Sequence, residues 1–202
     1  MYAIVEDNNI TQYINNPKSV IIGDVRYPAK IFELWTTAEK EAIGIYEIVV
    51  DKTNYKDPEY YNNTNSSYTF ADGQVTESWG TATAKELEDR NATDEDGVEL
   101  NPIVVIEGLK TEKKKIVKAQ ASTLLERTDW HNHKALDDDS YTIPDNIKTY
   151  RANVRAKSNE METQIDACNN VDELKTLYEY VNTGTEENPV YERPLAEFPK
   201  EI

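Results

Sequence analysis

The sequence predicts an α+β protein: a small β-rich N-terminal domain, an acidic extended connection, and a C-terminal helical hairpin with a third short helix and an extended tail. Three observations carry that reading. Over the first eighty positions, β-branched and aromatic residues cluster in short runs broken by turn residues. Between Asp57 and Glu107 twelve acids face two bases, Lys85 and Arg90, so −10 of the formal net charge of −16 is concentrated in that one segment. From Leu109 onward, apolar residues recur every three or four positions, as one face of an α-helix requires. The expected boundaries are 1–81 for the β-rich head, 82–107 for the acidic arm, 108–182 for the helical domain and 183–202 for the tail.

Met1 to Val5 and Ile10 to Ile14, joined by Glu6-Asp7-Asn8-Asn9, form a hairpin pattern that Asn15-Asn16-Pro17 ends. Ser19 to Ile22 and Val25 to Tyr27 make a second short pair across Gly23-Asp24, with Pro28 confining its end to an edge. Thr36-Thr37-Ala38-Glu39 offers an N-cap with an acid in the first turn, so a short helix is expected over Thr37 to Ile43, terminated by Gly44. Ile45 to Val50 returns as a strand. Asp51 to Ser67 has loop composition, yet it carries Tyr55, Tyr60 and Tyr61 with Tyr68 close behind, which suits contact residues. Tyr68 to Phe70 and Val75 to Trp79 flank Asp72-Gly73, a type I′ turn signal, and Trp79 is expected to cover the small sheet.

In the arm, Lys85 to Asp89 predicts a helical turn at most, because Asp94-Glu95-Asp96-Gly97 and Asn101-Pro102 interrupt it. Ile103 to Ile106 is a lone apolar run that needs a partner strand, from the N-terminal sheet or from another subunit. The span Asp51 to Ile106 is therefore expected to gain full order only on assembly. Leu109, Ile116, Val117, Gln120 and Leu124 mark the first long helix, and Ile147, Tyr150, Val154, Met161, Ile165 and Cys168 mark the second. Neither stripe is stable alone in water, so the two helices should close on each other across a turn at Thr128 to His133. Pro144-Asp145 starts the second helix, Asn169-Asn170 ends it, and Asp172 begins a third, in which Val171, Leu174, Leu177, Tyr178 and Val181 share a face. The tail, Asn182 to Ile202, reads as extended and unable to fold alone, with Tyr191, Leu195 and Phe198 as anchors on a neighbour.

Composition excludes several functions. A mean hydropathy of −0.74 and 30% charged residues describe modest cores and a large wetted or partner-covered surface. The acidic balance repels phosphate backbones and anionic bilayers, so neither nucleic acid nor membrane is an expected partner. The lysines of the first long helix (Lys110, Lys113, Lys114, Lys115 and Lys118) read as a solvated face, or as a counterpart to the acidic arm. The single cysteine excludes an internal disulfide and sits on an apolar stripe as a core residue. The start Met1-Tyr2-Ala3 has no basic segment leading into an apolar run, so synthesis and use without secretion are expected.

Chemistry-bearing motifs are sparse. His131 and His133 lie close to several aspartates but two apart in a segment of turn composition, where their side chains do not converge on a metal. Asp94-Glu95-Asp96-Gly97 matches part of a calcium loop but lacks its remaining ligands. No phosphate loop, nucleophile elbow or paired cysteine motif is present, and no enzyme activity, cofactor or metal is expected.

The run Ala121 to Trp130 has the form A-x-x-L-L-x-x-T-D-W, and Ile143-Pro144 leads into Tyr150-Arg151-Ala152-Asn153-Val154-Arg155. Together they resemble the C-terminal region of tail-fibre assembly-type proteins of tailed bacteriophages, in which a Thr-Asp-Trp segment precedes a proline-started helix carrying Tyr-Arg. The match covers a third of the chain, and the head resembles the short β-rich heads of phage tail and baseplate proteins. Physically, Thr128 turns the chain, Asp129 accepts N–H groups there, Trp130 wedges between the helices, and Arg151 and Arg155 pair with Asp129 or with a partner's carboxylates. The resemblance implies a structural part of a virion tail, made in the bacterial host cytoplasm and docked on fibre, baseplate or adaptor subunits, as a homo-oligomer. The alternative it implies is a fibre chaperone that leaves before maturity. The expected partner-binding residues are Tyr55, Tyr60, Tyr61, Trp130, Arg151, Arg155, Tyr191 and Phe198.

Overall fold

In the computed structural model, which describes residues 1–202, the chain divides into two units, Met1–Thr83 and Ala84–Ile202. The first contains β1 (Tyr2–Glu6), β2 (Asn9–Ile14), β3 (Val20–Ile22), β4 (Val25–Tyr27), α1 (Ile31–Leu34), α2 (Thr37–Glu41), β5 (Ile45–Asp51), β6 (Tyr61–Asn62), β7 (Ser66–Ala71) and β8 (Gln74–Trp79). The short β9 (Thr83–Ala84) pairs with β6 where the unit ends. Strands β2-β1-β5-β8-β7 form one sheet in that order, antiparallel except that β5 and β8 run parallel.

Turn chemistry sets the hairpins. Asp7 and Asn8 both adopt positive φ (51° and 64°), and so do Asp72 and Gly73 (51° and 74°), as the two-residue turns between twisted strands require. The hairpins β1–β2, β3–β4 and β7–β8 and the helix at Thr37 form where the sequence predicts them. Thr36 and Glu39 close a reciprocal capping box on α2, and Gly44 follows at φ 81°. That glycine is required twice over, because a Cβ there would stand 2.6 Å from the Val5 carbonyl oxygen. The helical turn α1 was not foreseen from the sequence, since its four residues are too few to show a period.

One extra residue in β2 gives the sheet two buried faces. The register of β1 on β2 shifts between Ile4 and Val5, which leaves Thr11 unpaired opposite them. Ile14 therefore joins Ile4, Val20, Ile31, Phe32 and Ile45 on one face, whereas Ile10 joins Ala3, Val5, Ile48 and Val75 on the other. The sheet curls until its two edge strands approach, with the Tyr13 and Tyr68 rings 4.7 Å apart.

The second unit contains β10 (Arg90–Asn91), β11 (Val105–Ile106), α3 (Leu109–Glu126), α4 (Asp129–Asp137), α5 (Asp145–Ala167), α6 (Val171–Tyr178), β12 (Val181–Asn182) and β13 (Tyr191–Glu192). Helices α3 and α5 pack along their length, burying Val117, Ala121, Tyr150, Val154, Met161 and Ile165. Cys168 is buried beside them. No helix is long and apolar enough to cross a membrane.

Several expectations are corrected. The turn expected at Thr128 to His133 is instead the start of α4, because Asp129 occupies its first turn and the helix runs to Asp137. Lys85 to Asp89 is irregular rather than helical, with a bend at Leu87–Glu88: the Glu86 and Leu87 carbonyls accept from the N–H groups of Leu109 and Lys110, and the Asp89 carboxylate accepts from the Gly108 N–H at 2.8 Å. This segment thus caps α3, whose N-cap residue is a glycine with no side chain to offer. The partner of the apolar run ending at Ile106 is β10 of the same arm.

The loop between β5 and β7 has its own order: Asp57 accepts from the N–H groups of Glu59, Tyr60 and Tyr61, and the Asn63 amide pairs with both backbone groups of Lys56. The tail, too, folds on its own unit. Gln164 clamps it with both ends of its amide, accepting from Ala196 N–H and donating to the Pro194 carbonyl, while Leu195 is 2% exposed.

Ile45, fully buried at the centre of the first unit's core, sets its stability. Ile45→Ala is expected to cost about 2–5 kcal/mol, read as a lowered denaturation midpoint of the sheet signal with an unchanged slope. At Asp89, the Gly108 N–H holds the carboxyl below the usual aspartate range. The unfolded chain then binds the proton more readily than the folded one, so this cap is fully present above about pH 4 and is lost as pH falls through the lower folded value. Asp89→Asn is expected to flatten that acid limb in a pH series of thermal melts.

Candidate functional site

The second unit offers a buried node under an exposed helix, and an exposed arm. The node begins with Arg151 on α5, which is 7% exposed. Its guanidinium donates to the Leu125 carbonyl at 2.8 Å and to Thr128 Oγ1 at 2.7 Å, and it pairs with Asp129 Oδ1 at 2.8 Å. Thr128 in turn donates its hydroxyl proton to the Leu125 carbonyl. The planar fork thus ties the last turn of α3, through the Leu125 carbonyl, to Thr128 and Asp129 at the start of α4. The pairing of Arg151 with Asp129 agrees with the sequence. Arg155 does not reach Asp129; it lies at the limit of hydrogen-bond distance from the Arg151 carbonyl.

Trp130 departs from expectation. It does not wedge between the helices but stands 54% exposed on α4, its indole stacked on the His131 ring at 3.7 Å. Helix α4 turns the adjacent His131 inward instead, where its Nδ1 shares a hydrogen bond with the Tyr141 hydroxyl. No group of three or more histidine, cysteine or acidic side chains is placed to hold a metal ion.

The remaining candidates separate into buried and exposed. Tyr60 and Tyr61 are buried within the first unit and are corrected as partner contacts, because the Asp57 turn folds both rings inward. Tyr55 keeps an exposed edge and packs against Trp79. Phe198 packs on Ala121, Tyr150 and Val154 of its own chain, so it anchors the tail internally and not on a neighbour. Tyr191 stays exposed on β13.

The lysines of α3 are a solvated face only in part: Lys115 and Lys118 are exposed, whereas Lys110 and Lys113 are buried. Lys110 pairs with Glu88 at 2.5 Å and donates to the Asp166 carbonyl at 3.0 Å; Lys114 pairs with Asp166 at 2.7 Å, Lys118 with Glu162 at 3.2 Å, and Lys115 with Glu107. The Asp166 carboxylate holds the Lys114 ammonium above its ordinary range. These pairs bind α3 to α5 and to the base of the arm. The acidic tip of the arm is not among their partners.

That arm holds two exposed apolar residues that the sequence does not single out, Val98 and Leu100. The Asp94 carboxylate caps its own turn by accepting from the N–H groups of Asp96 and Val98, and the ladder runs through Thr93 opposite Glu99 down to Arg90 opposite Ile106. Along it Val98, Leu100, Ile103, Val104, Val105 and Ile106 are all exposed. The apolar run was visible in the sequence, but Val98 and Leu100 were hidden by acids on both sides. Comparison with protein-family models, with curated protein sequences and with solved structures finds no match to this chain.

The node and the exposed indole are expected to separate by mutation. Arg151→Ala takes the guanidinium from Thr128 Oγ1 and Asp129, while the Leu125 carbonyl keeps its donors from Thr128, and should lower stability by about 1–3 kcal/mol. Trp130→Ala should stay within about 0.5 kcal/mol of the parent. Chemical denaturation of both variants checks the contrast; equal losses would mean that Trp130 is part of the fold.

Proposed function

We propose that this chain is a structural component of a bacteriophage tail, in the baseplate, adaptor or fibre-attachment region, and that it acts by docking on other tail proteins. The observation that supports the reading is the arm: six exposed apolar residues on a two-stranded ladder whose base is clamped to α3. Monomeric proteins rarely leave so continuous an apolar strand uncovered, and a rigid base presents it to a partner at little ordering cost. The resemblance of Ala121–Trp130 and Tyr150–Arg155 to tail-fibre assembly-type proteins supplies the phage assignment. In this reading the protein is made in the bacterial cytoplasm and retained in the virion as one of several identical copies.

The second reading, a chaperone that captures fibres and departs, is favoured by the same resemblance, because such chaperones belong to that group. Quantitative mass spectrometry of purified mature particles distinguishes the two. A fixed copy number matching a threefold or sixfold tail axis is expected. Abundance in infected-cell lysate with absence from particles would replace the structural reading with the chaperone.

A further inference from the structure

Strand β11 ends one edge of its ladder with nothing beside it. Ala92 N–H reaches the Val104 carbonyl at 2.7 Å, so Val104 faces β10, and alternation along an extended strand turns the N–H and C=O of Val105 to the opposite edge. No strand pairs there. The side chains on both faces are uncovered as well, with Val104 49% and Val105 54% exposed. Unlike the edges that proteins normally leave open, this one has no lysine or proline between Ile103 and Ile106 to block an incoming strand.

Charge selects the occupant. Residues 84–107 carry eight acids and two bases. Glu88 and Glu107 are engaged by Lys110 and Lys115, and Asp89 caps α3. Glu86, Glu95 and Asp96 form no ion pair, and the two bases, Lys85 and Arg90, form none either, so the arm keeps a net negative charge, with Glu95 and Asp96 at its tip. A second copy of this chain is a poor match: it would bring an equally acidic arm to the same edge, and its α3 lysines Lys110, Lys114, Lys115 and Lys118 are already paired.

We infer that β11 is a strand-addition site for a different protein, one that presents an extended apolar strand flanked by lysine or arginine. The backbone of Val105 supplies the hydrogen bonds, the valine and isoleucine side chains supply the buried area, and Glu95 and Asp96 select a basic partner. This deepens the docking reading and rests on it.

The probe is a fluorescein-labelled peptide of alternating valine and lysine, with its valine–glutamate counterpart as control, titrated into the full-length chain and followed by anisotropy. The lysine peptide is expected to bind at least about tenfold tighter than the glutamate peptide, with weaker binding at high salt. It should also slow amide exchange at residues 103–106. Val105→Pro removes the outward N–H without touching the β10 ladder and should abolish that binding. The double variant E95K/D96K changes only exposed side chains at the tip and should narrow the preference between the two peptides. Equal affinity for both peptides, or binding unchanged in both variants, would overturn the inference. So would a dimer of the chain alone that Val105→Pro dissolves, because the edge would then belong to a second copy. The assay uses no virus particles. Peptide binding with the chain absent from mature particles would retain the edge and discard the virion-component reading, and the reverse pair of results would do the opposite.

Discussion

Three backbone N–H groups at the start of α3 are the constraint on which the second unit depends. A helix beginning at a glycine has no side-chain cap, and the groups at Gly108, Leu109 and Lys110 would lack partners if the chain simply arrived there from solvent. The bent segment Glu86–Asp89 meets all three, two through carbonyls and one through the Asp89 carboxylate. That requires close approach: a Cβ on Gly108 would stand 2.4 Å from the Glu88 carbonyl group. Lys110 then reaches both Glu88 and the Asp166 carbonyl at the end of α5, so one ammonium joins the arm, α3 and α5. Because both ends of the arm are fixed at this crossing, its ladder projects as a hairpin and not as a free loop.

The acidic excess acquires meaning from where it is neutralised. Carboxylates at the arm's base and on α5 meet the lysines of α3, where they tie elements together with several partly shielded pairs. Exposed pairs of this kind contribute little singly, and their effect here is to fix which elements are neighbours. At the arm's tip no such partner exists. The same composition therefore does two jobs: cohesion near the helices, and an uncompensated field around an apolar edge.

Polar side chains replace regular structure wherever strands and helices are short. Asn63 completes the backbone bonding of Lys56, Asp57 and Asp94 organise their own turns, Thr64 accepts from Gly80 N–H, and Gln164 holds the tail. In the first unit a single residue, Thr11, decides that the sheet is buried on both faces, since its insertion moves Ile10 and Ile14 to opposite sides. A domain with modest apolar content can then close a curled sheet around two small cores.

Local chemistry alone determined much of this protein. Asp72-Gly73 and Asp7-Asn8 define their turns through φ, Thr36 with Glu39 starts α2, and the spacing of Ile147, Tyr150, Val154, Met161 and Ile165 defines the buried face of α5. Each of these effects acts within a few residues, so it is legible in the order of residues. The tertiary structure decided the rest: the parallel pairing of β5 with β8, the inward turn of Tyr60 and Tyr61, the exposure of Trp130, the docking of Phe198 on its own helices, and the partner of β11. For the exposed edge the sequence showed only that Ile103 to Ile106 needed a neighbour. Which backbone edge remained open depended on β10 pairing within the arm, and that choice is made between segments more than ten residues apart, where no local pattern carries the information.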